Sequence, residues 1–250
     1  LKKNYILPKN VPANEFLNLE GNKLSTSKNW AIWLHEYLID FKDQQDALRY
    51  ALCASAPENK DTDFTWKEFQ ARNNNELVAI LGNFVNRVVV LTNKYWDGVV
   101  PAIDITNEDD NQILSLLKIS PTKIANSIKM FRFREALTEM MNLARAGNKY
   151  LADCEPWKII KSDEKRAKTI LNISLQITAS LSIVSEPFLP FTSKKLQDIL
   201  NLTKLKWADT GKTMINSGHK INTGGHLFAK IEDDKIQVMI DKLNTDKNEN

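Results

Sequence analysis

Apolar residues return every three or four positions along most of this chain, the spacing of a stripe on one face of an α-helix. Trp30, Ile32, Trp33, Tyr37, Leu38 and Phe41 form the first such series. Asp43 to Ala56 forms a second, and Pro57 stops it because proline has no amide for a further turn. A third helix starts near Thr65, and Leu77, Ile80, Leu81, Phe84, Val88 and Leu91 mark one long helix from about Asn75 to Tyr95. Val99-Val100-Pro101 opens a loop that continues through an acidic run from Asp104 to Asp110. Beyond it the pattern predicts two more long helices, Pro121 to Asp153 and Ser162 to Ser185, with Glu155-Pro156-Trp157 between them. Pro187 and Pro190 then interrupt the chain before a short helix at Thr192 to Leu200.

The first 24 residues follow another rule. Phe16-Leu17-Asn18-Leu19 alternates as a strand does, and Gly21-Asn22 turns the chain behind it. This reads as the last strand of a domain whose remainder lies upstream. Five or six helices joined by short connections describe a mainly α protein, an antiparallel helical bundle carrying a short N-terminal strand and loop. At 250 residues the chain can hold one or two domains, and 42% apolar with 26% charged residues excludes a disordered tail. Only eight glycines agree with low sheet content. No apolar run approaches the ~18 residues of a spanning helix, so no membrane partner is expected.

A net charge of +3 is too small to announce a nucleic-acid binder, so charge has to be read locally. Cys53 and Cys154 form no CxxC pair and only three histidines are present, so no metal site is expected within the chain. A reduced, cytoplasmic location is the simple reading. Leu1-Lys2-Lys3-Asn4 lacks the apolar core of a signal peptide and Leu1 is no initiator, which suggests an excised piece. At the other end, 241–250 is polar without periodicity and reads as a tail or linker.

Three constellations carry chemistry. In the first, Lys23, Leu24, Ser25, Thr26, Ser27 and Lys28 follow a glycine turn just ahead of a helix, so hydroxyls, backbone donors and lysine charge could cradle a triphosphate. The spacing is not that of a Walker loop, and on spacing alone a solvated turn with serine capping is the better explanation. In the second, Asn83 and Arg87 are four apart on the long helix and share a face, presenting an amide beside a guanidinium. Such a pair matches the edges of unstacked bases, or simply makes a surface hydrogen bond. The third is Pro156-Trp157, where an indole held at a corner between helices can either stack on a base or plug a gap. Basic residues flank it: Lys123 to Lys149 carries six against two acidic, and Lys158 to Lys168 five against two. Runs of that kind are usually solvated helix faces, but here they could also neutralise phosphates.

From Asn14 to Asn29 the sequence resembles the KMSKS signature loop of class I aminoacyl-tRNA synthetases in its methionyl version. The resemblance continues through Leu81-Gly82-Asn83-Phe84-Val85-Asn86-Arg87 and Asn148 to Trp157, in family order, and spans about Leu7 to Asp241. It implies that Lys23 takes the first lysine position, Leu24 the methionine, and Ser25 and Ser27 the serines. Thr26 stands where the second lysine is usual, leaving hydrogen bonding there and Lys28 as a substitute charge. The resemblance further implies that Asn83, Arg87, Pro156 and Trp157 meet the CAU anticodon of methionine tRNA, with Trp157 stacking on a base. The implied organisation is 1–28 as the end of a Rossmann catalytic domain, 29–62 as a stem-contact segment, 63–240 as the anticodon-binding domain and 241–250 as tail. The parent enzyme would be a methionine-tRNA ligase using ATP and Mg2+, with zinc possible only in an upstream part, and its partners the tRNA and the N-terminal catalytic domain. Alone, this piece is expected not to adenylate methionine. Two alternatives stay open on the sequence, namely a helical protein-interaction module and the equivalent domain of another class I synthetase.

Overall fold

The computed structural model describes residues 6–203 and 205–248, so Leu1–Asn4, read above for a signal peptide, and the last two residues of the 241–250 stretch lie outside the described residues. Three short strands, β1 (Leu17–Leu19), β2 (Asn22–Lys23) and β3 (Thr62–Phe64), form one sheet in the order β2-β1-β3. β1 pairs antiparallel with β2 across the glycine turn and parallel with β3, Leu19 opposite Phe64. The third strand was hidden in a segment that reads as polar. Its register is set by backbone pairing and by Asp63, whose two carboxylate oxygens both accept from the Gly21 amide at 3.0 and 2.9 Å.

Helices α1 (Leu34–Asp40) and α2 (Gln45–Ala54) lie where the first two apolar series place them, trimmed at both ends. Trp30 precedes α1 and is buried, its indole N–H donating to the Leu19 carbonyl at 2.9 Å. Tyr37, Phe41, Phe64, Trp66 and Phe69 then form an aromatic cluster beside the sheet, with Phe41 stacked on Trp66 at 5.6 Å.

The two helices expected near Thr65 and Asn75 are one continuous rod. α3 (Trp66–Arg72) passes through a π-helical stretch, Asn73–Gly82, into α4 (Asn83–Trp96). Thr65 caps its start by accepting from the Glu68 amide, and Glu20 accepts from the Trp66 amide at 2.8 Å, fastening the β1-β2 turn to the rod. In the π stretch the amides reach one residue further back, as in Asn83 N–H to Val78 O. No sequence pattern breaks there, because a π turn keeps the apolar residues on the same side.

The next boundary also differs from expectation. The run read as an acidic loop followed by a helix from Pro121 is instead α5 (Glu108–Lys129), and α6 (Phe133–Cys154) follows after a three-residue turn. Asn107 and Asp110 form a reciprocal capping box, and Glu108, Asp109 and Asp110 fill the first turn, where the helix dipole favours anions. The acidic run is therefore a helix start. Pro121 lies inside α5, and the chain reverses instead at Phe131, which takes a left-handed φ of 60°.

After the short α7 (Pro156–Ile159), α8 (Glu164–Val184) crosses the centre of the bundle, buried without interruption from Thr169 to Ser185. Ser174 and Thr178 return their hydroxyl hydrogens to carbonyls four residues back in the same helix. That satisfaction lets polar side chains lie in the core. α4, α5 and α6 pack around α8. α9 (Pro190–Ile199) closes one end, and a long irregular segment returns along the rod. Val99 bridges to Lys220, Asn73 donates to Ala229 O, and Asn74 exchanges two bonds with the Ile231 backbone.

Of the stretch 241–250, read as a polar tail or linker, the described residues 241–248 instead extend a last helix, α10 (Asp233–Asn248). Ile236, Met239 and Leu243 are buried on one face, three and four apart. Lys242 pairs with Glu36 and Asp40, so α10 seals against α1 as well as α3. The tail reading missed this helix because its buried residues lie on both sides of residue 241, so neither half alone shows the period.

Candidate nucleic-acid interface

The first candidate loop is laid open to solvent. Lys23 ends β2, Ser25 bridges to Trp30, and Thr26–Lys28 makes one 3-10 turn. Lys23, Leu24, Thr26, Ser27 and Lys28 are exposed, and the Ser25 and Ser27 hydroxyls lie 3.3 Å apart. Lys23 sits over the Phe16 ring at 5.8 Å, while Lys28 has no ion pair among the described residues. The buried Trp30 anchors the base of the loop, whose Thr26, Ser27 and two lysines are open to solvent.

The second and third constellations, 70 positions apart in sequence, meet. The Arg87 guanidinium lies over the Trp157 ring at 4.6 Å from its centroid, a cation-π stack. Its Nη1 also reaches Asn148 Oδ1 at 3.4 Å. Asn83 is exposed one helical turn before Arg87 on the same face of α4, and makes no hydrogen bond to either Arg87 or Trp157. Phe84 and Val88, one residue along from each, are buried and fix the rotation of that face.

Trp157 owes its position to a corner. α6 ends at Cys154, Glu155 adopts a left-handed φ of 42°, and Pro156 begins α7. Proline at a first helical position needs no amide partner and presets φ, so the reversal is fixed rather than loose. Pro156 is itself buried and Trp157 half-buried, so Pro156 shapes the corner while the indole keeps some surface toward solvent.

Sequence reasoning missed the network behind this corner. Asp110, fully buried, receives Arg166 through both guanidinium nitrogens, the longer bond being 2.9 Å. Tyr150 donates its hydroxyl to the same carboxylate, and the Asn107 amide adds a third donor at 3.0 Å. Burial alone would raise the Asp110 pKa, but these hydrogen bonds and the Arg166 charge hold it below the usual carboxylate range. The signal available in the sequence was the Asn107-x-x-Asp110 capping pattern ahead of an apolar series.

A depressed folded-state pKa contributes stability that is present above the unfolded value of ~3.9 and is lost as pH falls through the folded one. Urea midpoints measured from neutral to acid pH should therefore fall more steeply below pH ~4 in the parent chain than in an Asp110→Asn variant. Parallel curves would mean that Asp110 titrates alike in the folded and unfolded chain.

The basic runs are less free than their sequence suggests. Arg132 pairs with Glu135, Arg145 with Glu76, Lys149 with Asp153, Lys158 with Glu155, Lys165 with Asp104 and Lys168 with Glu164. Most of these pairs are exposed, worth little, and open to exchange for a phosphate. Lys123, Lys129, Arg134 and Lys161 have no ion pair among the described residues.

Residues 1–89 match the family model of class I tRNA synthetases (M), and residues 100–248 match the anticodon binding domain of methionyl tRNA ligase. The chain belongs to the methionyl-tRNA ligase family. Asn83 and Arg87 thus lie in the first match and Trp157 in the second, and the stacked pair joins the two. A methionine-tRNA ligase of Flavobacterium psychrophilum is 63% identical over 98% of this chain, and one of Cytophaga hutchinsonii is 60% identical over 98%. The chain spans 36% of the length of each of these methionyl-tRNA ligases. The solved Mycobacterium tuberculosis methionyl-tRNA synthetase, in complex with methionyl-adenylate, superposes with a TM-score of 0.79 over 86% of this chain and 43% of its own. At 21% identity that likeness speaks for the ligase fold alone.

Proposed function

We propose that this chain is the part of a methionine-tRNA ligase that reads the CAU anticodon, with Trp157 stacking on an unpaired base while Asn83 and Arg87 meet base edges. The observation that carries the reading is the Arg87 guanidinium over the Trp157 indole. A guanidinium held flat on a ring has its fork oriented before RNA arrives, so less side-chain freedom is lost on binding. The half-buried indole supplies a π surface, and Asn83 adds an amide with both donor and acceptor one turn away. The unpaired Lys161, four residues beyond Trp157, and the exchangeable pairs on α6 and α8 supply charge for the backbone. Residues 29–62 as stem-contact segment and 63–240 as anticodon-binding domain complete this reading.

Upstream chemistry is part of the same proposal. The exposed hydroxyls of Thr26 and Ser27, the half-buried one of Ser25, and Lys23 and Lys28 suit the phosphates of ATP, whose cleavage drives adenylation in the full ligase; Mg2+ would accompany it. Thr26 can only donate or accept a hydrogen bond, so the positive charge in this loop falls to the flanking lysines. A zinc site, if the full ligase has one, would lie outside these residues.

The test compares hairpin RNAs whose loops carry CAU or single-base changes. Arg87→Ala should weaken CAU binding by about 1 to 3 kcal/mol and flatten the preference among loops. Equal loss for every loop would make Arg87 a phosphate contact. Binding should also fall steeply with added salt, whereas docking of a partner protein in an apolar groove would change little.

A further inference from the structure

Trp157 is held at its corner from behind. Arg166, in the first turn of α8, grips Asp110 at the start of α5 with both nitrogens, and its Nη2 also faces Cys154 Sγ at 3.7 Å. Cys154 is the last residue of α6, and Tyr150, one turn earlier, donates to the same Asp110 carboxylate. Asp163 accepts from the Arg166 amide at 2.9 Å and fixes the start of α8. Both flanks of residues 155–165 are thereby tied to one buried carboxylate, and that segment carries Trp157.

We infer that Arg166, Asp110 and Tyr150 are positioning residues for base recognition: without touching RNA, they set the indole against Arg87. This rests on the proposed role of Trp157 and adds three residues to it. The alternative is a clasp that stabilises the bundle and nothing more. The geometry favours the first, because a bidentate guanidinium fork fixes orientation as well as distance, and the loop it closes contains the stacking residue. Pro156 presets the reversal, while Glu155 pairs with Lys158 at the surface and α7 is a single turn, so the clasp adds a hold on both sides of the indole.

Affinity for the CAU hairpin is measured for the 250-residue chain, for Arg166→Lys and Tyr150→Phe, and for each combined with Trp157→Ala. Arg166→Lys keeps the charge and loses the fork, and should weaken binding roughly tenfold. Tyr150→Phe should cost a smaller factor, about two- to threefold, and carries the test should the lysine variant melt without cooperativity. In the Trp157→Ala background neither change should weaken binding further. Equal factors in both backgrounds would overturn the inference, as would an Arg166→Lys chain that binds like the parent.

A second readout needs no RNA. The emission of Trp157, taken as the difference between a chain and its Trp157→Phe counterpart, should become more quenchable by acrylamide in Arg166→Lys. An unchanged difference spectrum would overturn the positioning role. If instead Trp157→Ala alone leaves RNA binding intact, the base-stacking reading fails while the emission result still decides the clasp.

Discussion

Trp157→Ala is expected to weaken binding of the CAU hairpin roughly ten- to hundredfold, the range that corresponds to ~1 to 3 kcal/mol of base stacking. The substitution also removes the surface on which Arg87 lies at 4.6 Å, so the guanidinium regains its freedom and base-edge contacts weaken with it. Two losses from one side chain make this the largest binding effect in the molecule. Trp157→Phe should retain much of the affinity, because a smaller ring still stacks and still attracts a cation. Filter binding with a thermal melt on the same samples checks both statements. If the Ala chain loses its cooperative melt, the indole serves as a plug between helices; if it melts normally and binds as before, no base stacks there.

Gly147→Ala should give the largest loss of stability for the smallest chemical change. A Cβ at that position would lie 2.7 Å from Phe84 Cζ, and 3.0 and 3.1 Å from the next ring carbons, with Phe84 fully buried in the seam between α4 and α6. Such a ring cannot turn away without leaving the core, so the two helices must separate, at about 1 to 3 kcal/mol. The seam is also where the interface is assembled: Asn148 follows Gly147, Asn83 precedes Phe84, and Arg87 reaches across to Asn148. RNA affinity should therefore fall together with the urea midpoint. Phe84→Leu in the Gly147→Ala chain makes room for the new methyl and should recover part of both losses. An Ala chain as stable as the parent would show that the helices yield more easily than their contact distance implies.

The amphipathic series made the helical class legible, since a buried stripe needs apolar residues three and four apart wherever it occurs. Leu77 to Leu91 and the stretch from Ser162 to Ser185 were readable for that reason. Boundaries were not. Pro121 looks like a helix start, yet a proline one side of which faces the core can be carried inside a long helix, and the real start lay in a cluster of acids that periodicity ignores. β3 was invisible because three residues are too few for an alternating pattern, and because its register comes from Asp63 and from β1. α10 was missed because its buried residues, Ile236, Met239 and Leu243, straddle the point where composition turns polar.

The interface was legible in its members and not in its assembly. Arg87 and Trp157 could each be named from local chemistry, but their stacking depends on Gly147, the α6-to-α7 corner and the Asp110 network, all of which are tertiary. Local charge misled in the opposite direction. The runs flanking Trp157 are rich in lysine and arginine, but most of those side chains meet a carboxylate three or four residues away or on a neighbouring helix, which a count of residues cannot reveal.

The π-helical stretch makes the rod from Trp66 to Trp96 unequal in its tolerance of gaps. A π turn accommodates an additional residue relative to an α turn, so deleting one residue between Asn73 and Gly82 can be absorbed by reversion to ordinary winding. A deletion after Gly82 has no such outlet, and would swing every later position by about 100° around the axis. Single-residue deletions within the π stretch are thus expected to be tolerated, and those between Asn83 and Trp96 to be ruinous.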